Sequence, residues 1–377
     1  MTAREPGAIG DPIFGTGVPD DGVGLCLSGG GYRAMLFHVG TLWRLMEADK
    51  LFELTRISSV SGGSITAGVL ALAWDGLKSG GMAAFREDVV EPLRGLARVT
   101  IDERSILGGL FLPGSIAQYV ANSYAKHLFG DRTLQDLPEA PVFVINATNL
   151  ETGSLFRFMR SAIRDWRVGR IAAPTVRIAD AVAASSAFPP ILSPFILDVD
   201  PADFDPPAPG EIADDAFRNE ISLSDGGVYD NLGLQQVWAR CKTVLVSDGG
   251  GHIADNAAPP GDWARQSLRV LEVIDQQVRN LRMLQVVGSL ESKERFGAFW
   301  SARTNIAAYD LADALPCPYE KTARIAAIPT RLRRMDDAQQ ERLINWGYAV
   351  ADAGMRRYWM PSLSAPAGFP YPGTGIG

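Results

Sequence analysis

The sequence predicts an α/β fold of the layered kind, on three observations. Residues 23–28 (Val-Gly-Leu-Cys-Leu-Ser) are a short apolar run that breaks at Gly29-Gly30-Gly31 and leads into a helical pattern. Residues 54–60 repeat the plan: a β-branched apolar run breaks at Ser61-Gly62-Gly63 and continues into the Ala- and Leu-rich residues 65–74. Two such strand–turn–helix units in succession imply parallel strands wrapped by helices. The composition, 46% apolar and 21% charged, is that of a globular protein.

Residues 1–21 are rich in Gly, Pro and Asp and read as a loose lead-in. The first helix carries Met35, Leu36, Val39, Leu42, Trp43 and Met46 at spacings of three and four, one apolar face. The glycines before it leave backbone N–H groups able to approach an anion, helped by the helix N-terminus. They suit a nucleotide phosphate, an oxyanion or an unoccupied tight turn. The nucleotide reading is weak, because no Gly-Lys-Ser/Thr follows and position 34 is Ala34 rather than the glycine of a dinucleotide fingerprint. Arg33, near a helix start that disfavours cations, fits an anionic partner such as a phosphate headgroup, or pairs with a surface carboxylate.

At the second unit, the tight turn would push the Ser61 hydroxyl out at the carboxyl edge of the sheet, the plan of a nucleophile elbow. The bland alternative is a serine that merely caps the next helix. Residues 76–140 lack a clean strand and read as a helical insertion that covers the site. Residues 107–112 and 116–120 are assigned to core packing rather than to lipid contact. Residues 141–148 are the next strand, paired with 155–159 through Glu151-Thr-Gly-Ser. Residues 178–187 form an Ala/Ser-rich helix stopped by Phe188-Pro189-Pro190. Residues 198–220, with eight carboxylates, read as a solvated acidic loop without the spacing of an EF-hand.

Two strands then end in the same way, Asp225-Gly226-Gly227 and Asp248-Gly249-Gly250-Gly251. Either aspartate would serve Ser61, and the residues alone do not choose. Residues 262–296 read as a long helix with Leu268, Leu271, Ile274, Val278 and Leu281 on one face. That face is expected to dock on the sheet; a membrane-surface helix is the alternative. Phe299-Trp300 is a late strand, residues 336–358 a last helix, and the Pro/Gly-rich segment from Pro361 is pinned irregularly or disordered. With no repeat or long linker, residues 22–360 read as one domain.

The net charge of −7 argues against nucleic-acid binding. No apolar run reaches about 18 residues, so no membrane span is expected. The N-terminal residues lack the apolar core of a secretory signal. Three cysteines, Cys26, Cys241 and Cys317, form no metal-ligand spacing and suit a reducing cytoplasm.

With Gly29-Gly30-Gly31-Tyr32-Arg33, Ser59-Val60-Ser61-Gly62-Gly63, Ala184-Ser-Ser-Ala-Phe-Pro-Pro190 and Asp225-Gly226-Gly227 in this order, the chain resembles the patatin-like phospholipases over residues 22–235. The resemblance implies a three-layer α/β/α fold with a mostly parallel central sheet. It also implies lipid acyl-ester hydrolysis without metal or other cofactor, on a phospholipid or related substrate, with peripheral membrane contact. By position, Ser61 matches the nucleophile and Asp225 its dyad partner. Gly29, Gly30 and Gly31 match the oxyanion loop, with Arg33 beside it. Ser59 and Ala34 stand where the family usually has glycine, both small enough for the turns. Two rival readings are a non-catalytic lipid- or nucleotide-binding regulator and a histidine-dependent esterase. Of the three histidines, His38, His127 and His252, only His252 is placed to serve as such a base.

Overall fold

The computed structural model describes residues 19–101, 115–251, 253 and 255–377. Among them the strands are β1 (Asp20–Leu27), β2 (Leu54–Ser59), β3 (Val142–Asn149), β4 (Ser154–Phe158), β5 (Ala162–Asp165), β6 (Gly169–Ala172), β7 (Phe195–Asp198), β8 (Glu220–Asp225), β9 (Cys241–Asp248) and β10 (Phe296–Ser301). The α-helices are α1 (Gly31–Glu47), α2 (Gly62–Ala84), α3 (Glu91–Ala97), α4 (Ser115–Tyr124), α5 (Ile178–Ser185), α6 (Gly227–Asp230), α7 (Leu234–Trp238), α8 (Trp263–Glu291), α9 (Tyr319–Ala326) and α10 (Asp337–Gly354).

One mixed sheet runs in the order β10-β9-β1-β2-β3-β4-β5-β6, with β8 against β3 and β7 against β8. The pairs from β10 to β3 are parallel, as the strand–turn–helix units require. From the β3–β4 hairpin onward the pairing is antiparallel. Side chains alternate across the central strands. Leu25, Leu27 and Leu245 enter a large core shared with α1, α2 and α10. Cys26, Val244 and Val246 enter a smaller one with Leu234, Val237 and Trp238 of α7 and Val286 of α8. Helices thus cover both faces, giving three layers.

The register of β3 fixes the functional geometry. On one edge it pairs with β4. On the other, its first half pairs with β2, ending at Ser59↔Ile145. Its second half pairs with β8, beginning at Ala147↔Asp225. The carboxyl ends of β2 and β8 therefore meet head to head, with only Asn146 of β3 between their last partners. Asn146 ties the junction: its amide donates to Ser58 Oγ at 2.9 Å and to the Ser59 carbonyl at 2.8 Å.

Of residues 76–140, the described parts are helical or in turns apart from an isolated bridge between Thr133 and Arg177. Residues 107–112 lie outside the described residues. Ala117 and Val120 are buried, as core packing requires. The C-terminal segment is pinned: the Asn345 amide donates to the carbonyls of Tyr371 and Gly375, and Ile376 is buried.

One expectation is overturned. The apolar row of α8 does not dock on the sheet: Leu268, Leu271, Ile274, Val278 and Leu281 are all exposed. The side turned inward carries Arg279, Val286 and Ser289, which are buried. Arg279 is held there because it donates to the Gly251 carbonyl at 2.7 Å and pairs with Asp275 at 2.9 Å.

Candidate active site

Ser61 follows β2 by two residues and occupies the N-cap position of α2, yet its side chain makes no capping hydrogen bond. The hydroxyl is instead close enough to the Asp225 carboxylate to favour its ionised form. Its backbone stands at φ 52°, ψ −120°, a conformation that an L side chain rarely adopts. Such strain costs on the order of 1–3 kcal/mol and persists only where the surroundings impose it. Here they do. The Ser61 N–H donates to Ser185 Oγ at 2.9 Å, which also meets Ser64 Oγ at 2.9 Å, and Ser64 reaches Ser59 Oγ at 3.0 Å. A β-carbon on Gly62 would lie 2.2 Å from the Gly31 carbonyl oxygen, so the elbow and the glycine loop touch backbone to backbone.

Asp225 ends β8 and is 2% exposed. Burial pushes its carboxyl up to about 7, against the opposing pull of hydrogen bonds from Gly227 and Ser61. The Gly227 N–H donates to Oδ1 at 2.6 Å. Segment 185–187 bridges the two groups. The Asp225 N–H donates to the Ala187 carbonyl at 2.9 Å and the Gly226 N–H to that of Ser185 at 3.3 Å. Ser185 thus holds the backbone at both the serine and the aspartate. Sequence reasoning marked the segment but assigned Ser185 no part, since its contacts span more than 120 residues to Ser61.

The three glycines are not equivalent. The Gly29 N–H donates to the Asn231 carbonyl at 3.0 Å, so it is not free for an oxyanion. The N–H groups of Gly30 and Gly31 donate to no described residue. Gly30 has φ 143° and Gly31 φ 59°, both in the region that favours glycine.

Arg33, expected to meet a substrate anion, faces away into the protein. It is 2% exposed, donating to the Gly249 carbonyl at 3.0 Å, to Thr330 Oγ1 at 2.9 Å and to the Ile328 carbonyl. All three acceptors are protein groups, so its place is to pin the glycine loop to segments 249 and 328–330.

The other candidates separate as clearly. Asp248 is buried against Arg303, 3.2 Å away, and accepts from Ser301 at 3.3 Å. His38 is buried between Ser247 Oγ and the Ser28 carbonyl, each at 2.9 Å, and burial lowers it to about 4. His127 is exposed on the turn after α4. His252 lies outside the described residues. A hollow of about 600 Å³ lies on the acidic segment, between Pro201, Asp215 and Glu220, rather than over Ser61.

A serine on a strand–elbow–helix turn thus stands beside a buried carboxylate on an α/β/α scaffold. The family model for patatin-like phospholipases matches residues 25–238, more than half of the chain, and the protein belongs to that family. Among solved structures, human GIVD cytosolic phospholipase A2 superposes with a TM-score of 0.50 at 12% identity, over 88% of this chain and 58% of that one. The same enzyme in complex with methyl gamma-linolenyl fluorophosphonate gives a TM-score of 0.48 at 15% identity, over 89% and 58%. VipD from Legionella pneumophila gives 0.36 at 15%, over 88% and 66%. At 12% identity the likeness to the human enzyme concerns the fold, and the chain spans less than two thirds of that enzyme's length. No curated protein matches the chain. No helix among the described residues is long and apolar enough to cross a membrane.

Proposed function

We propose that the protein is a lipid acyl hydrolase that cleaves carboxylic esters through Ser61 and Asp225. The observation that carries this reading is the strained Ser61, whose hydroxyl makes no capping bond and lies beside a buried carboxylate raised to about 7. An ordinary aspartate, near 3.9, is a poor base for a hydroxyl. One near 7 is still largely ionised just above neutrality and a far better proton acceptor.

Ser61 Oγ attacks the ester carbonyl while its proton passes to Asp225. The carbonyl oxygen becomes an oxyanion facing the N–H groups of Gly30 and Gly31, where one such donor is typically worth about 3–4 kcal/mol. Asp225 then gives the proton to the departing alcohol, leaving Ser61 acylated. Water, deprotonated by Asp225, attacks the acyl-enzyme and regenerates the serine. The family and the fold support a lipid ester as the substrate class.

The histidine-dependent alternative now rests on His252, because His38 is engaged on both ring nitrogens. Hydrolysis of a p-nitrophenyl ester and of a phospholipid by wild type, Ser61→Ala, Asp225→Asn and His252→Ala separates the readings. The dyad requires loss in the first two variants and retention in the third. Activity that survives Ser61→Ala contradicts it.

A further inference from the structure

The outward face of α8 needs an explanation, since a soluble surface seldom presents a continuous apolar row. Trp263 is 82% exposed, Leu284 62%, Leu281 59% and Ile274 52%, with Val270 at 51%. The row follows a strict pattern. Trp263, Ser267, Val270, Ile274, Gln277, Leu281, Leu284 and Gly288 recur at alternating steps of four and three, the seam of a heptad repeat. Gln266, Leu271, Val273, Val278, Asn280 and Gln285 flank the seam, and none is charged. The helix's charged residues between 265 and 282 all lie off the seam. Its opposite side, at Arg279 and Val286, is buried against the protein body.

Read against its own reverse, the seam is complementary in size. With a two-fold axis between Ile274 and Gln277, Trp263 lies over Gly288, Ser267 over Leu284, Val270 over Leu281 and Ile274 over Gln277. Large meets small at the ends, and space around Gly288 is open, with no atom within 4 Å of an added β-carbon. The Ser267 hydroxyl already donates to the Trp263 carbonyl at 2.7 Å and needs no water. Antiparallel pairing also opposes the two helix dipoles favourably.

We propose that α8 is a homodimerisation helix, its seam covered by α8 of a second copy of this chain, antiparallel and in that register. The assembly is an isologous dimer about a two-fold axis, along about 38 Å of helix. The two Gln277 side chains flank the axis, where a polar pair fixes register. A lipid surface fits less well. Arg265, Arg269 and Arg279 are already in ion pairs with Asp262, Glu272 and Asp275, and the net charge of −7 is repelled by anionic lipid.

Sedimentation velocity on the full chain at tens of micromolar tests this. Wild type should run at twice the 40.6 kDa chain mass. Val270→Lys and Leu281→Glu should each run as monomers with unchanged circular dichroism. Mixed one to one, they should recover the dimer mass, because antiparallel pairing sets one substitution against the other. A parallel register brings no such recovery. A monomeric wild type, a dimer indifferent to Leu281→Glu, or failure of the mixture to associate overturns the proposal. So does a monomer that co-sediments with phosphatidylcholine/phosphatidylglycerol vesicles unless Leu281 is changed, which assigns the face to lipid.

Discussion

Asp225 and Asp248 begin from the same four residues, Ser-Asp-Gly-Gly, at the ends of buried strands. Both are almost fully buried, and in both the N–H two residues on donates to Oδ1, at 2.6 Å and 2.9 Å. Their acidities nonetheless diverge. Burial pushes Asp225 up to about 7. Burial acts on Asp248 as well, but Arg279 and Arg303 outweigh it and hold the carboxyl below the usual range. The local motif supplies a carboxylate on a tight turn, and the neighbours decide its use. Beside the Ser61 hydroxyl the carboxyl is raised; among guanidiniums it is held low and ties Arg303 to the end of β9.

The sharpest way to break this contrast is exchange of each carboxylate for its amide. Asp225→Asn should lower kcat by about 10³-fold or more, in line with the loss of a member of a catalytic unit. Asp248→Asn should leave kcat per folded molecule within a few-fold. Ester hydrolysis corrected for the folded fraction measures both, and comparable losses would erase the distinction.

Stability should respond in the opposite order. Removing the Asp248 charge leaves Arg303 without its buried carboxylate partner, a change that typically costs about 3–5 kcal/mol. Urea melts of Asp248→Asn should show that loss at pH 7.

The pH dependence of stability follows with a smaller effect. A folded pKa raised above the unfolded value near 3.9 means that the contribution of Asp225 is fully present below about pH 4. It is lost as pH rises through about 7. Asp225→Asn should therefore stabilise the protein at pH 8 by on the order of 2–4 kcal/mol, and not at pH 4. Chemical melts at the two pH values check the sign. Asp248, held low, contributes stability that is present above the unfolded pKa and lost only as pH falls through its folded value.

The smallest effect concerns Arg33. Since its guanidinium is spent on Gly249, Thr330 and Ile328, Arg33→Lys should destabilise the glycine loop. It should leave the ratio of activity on a phospholipid to that on an uncharged ester within about twofold, far from the 1.5–3 kcal/mol of a lost hydrogen bond to a charged group. A selective loss on the phospholipid would return Arg33 to the substrate.

What the sequence made legible was local. The strand–glycine–helix units, Ser61 on its elbow and an aspartate at a strand end are each written within about ten residues. The choice between Asp225 and Asp248 was not, without the family resemblance, because Arg303 lies 55 residues beyond Asp248. The loss of Gly29 and Arg33 from the predicted contacts had the same origin: Asn231 and Ile328 lie far along the chain. The head-to-head meeting of β2 and β8 on β3 is likewise a matter of sheet register. The apolar row of α8 is legible in the sequence as a row, but its outward direction is not, since periodicity gives a face and not the way that face points.

Ser61 as nucleophile and Asp225 as the group that activates it can be read out in one experiment. Labelling with a fluorophosphonate, followed by peptide mass spectrometry, tests both roles most directly. One adduct is expected, on Ser61, formed at least about a hundredfold more slowly in Asp225→Asn and at an unaltered rate in Asp248→Asn. An adduct on another residue, or labelling of Ser61 indifferent to Asp225, would contradict them.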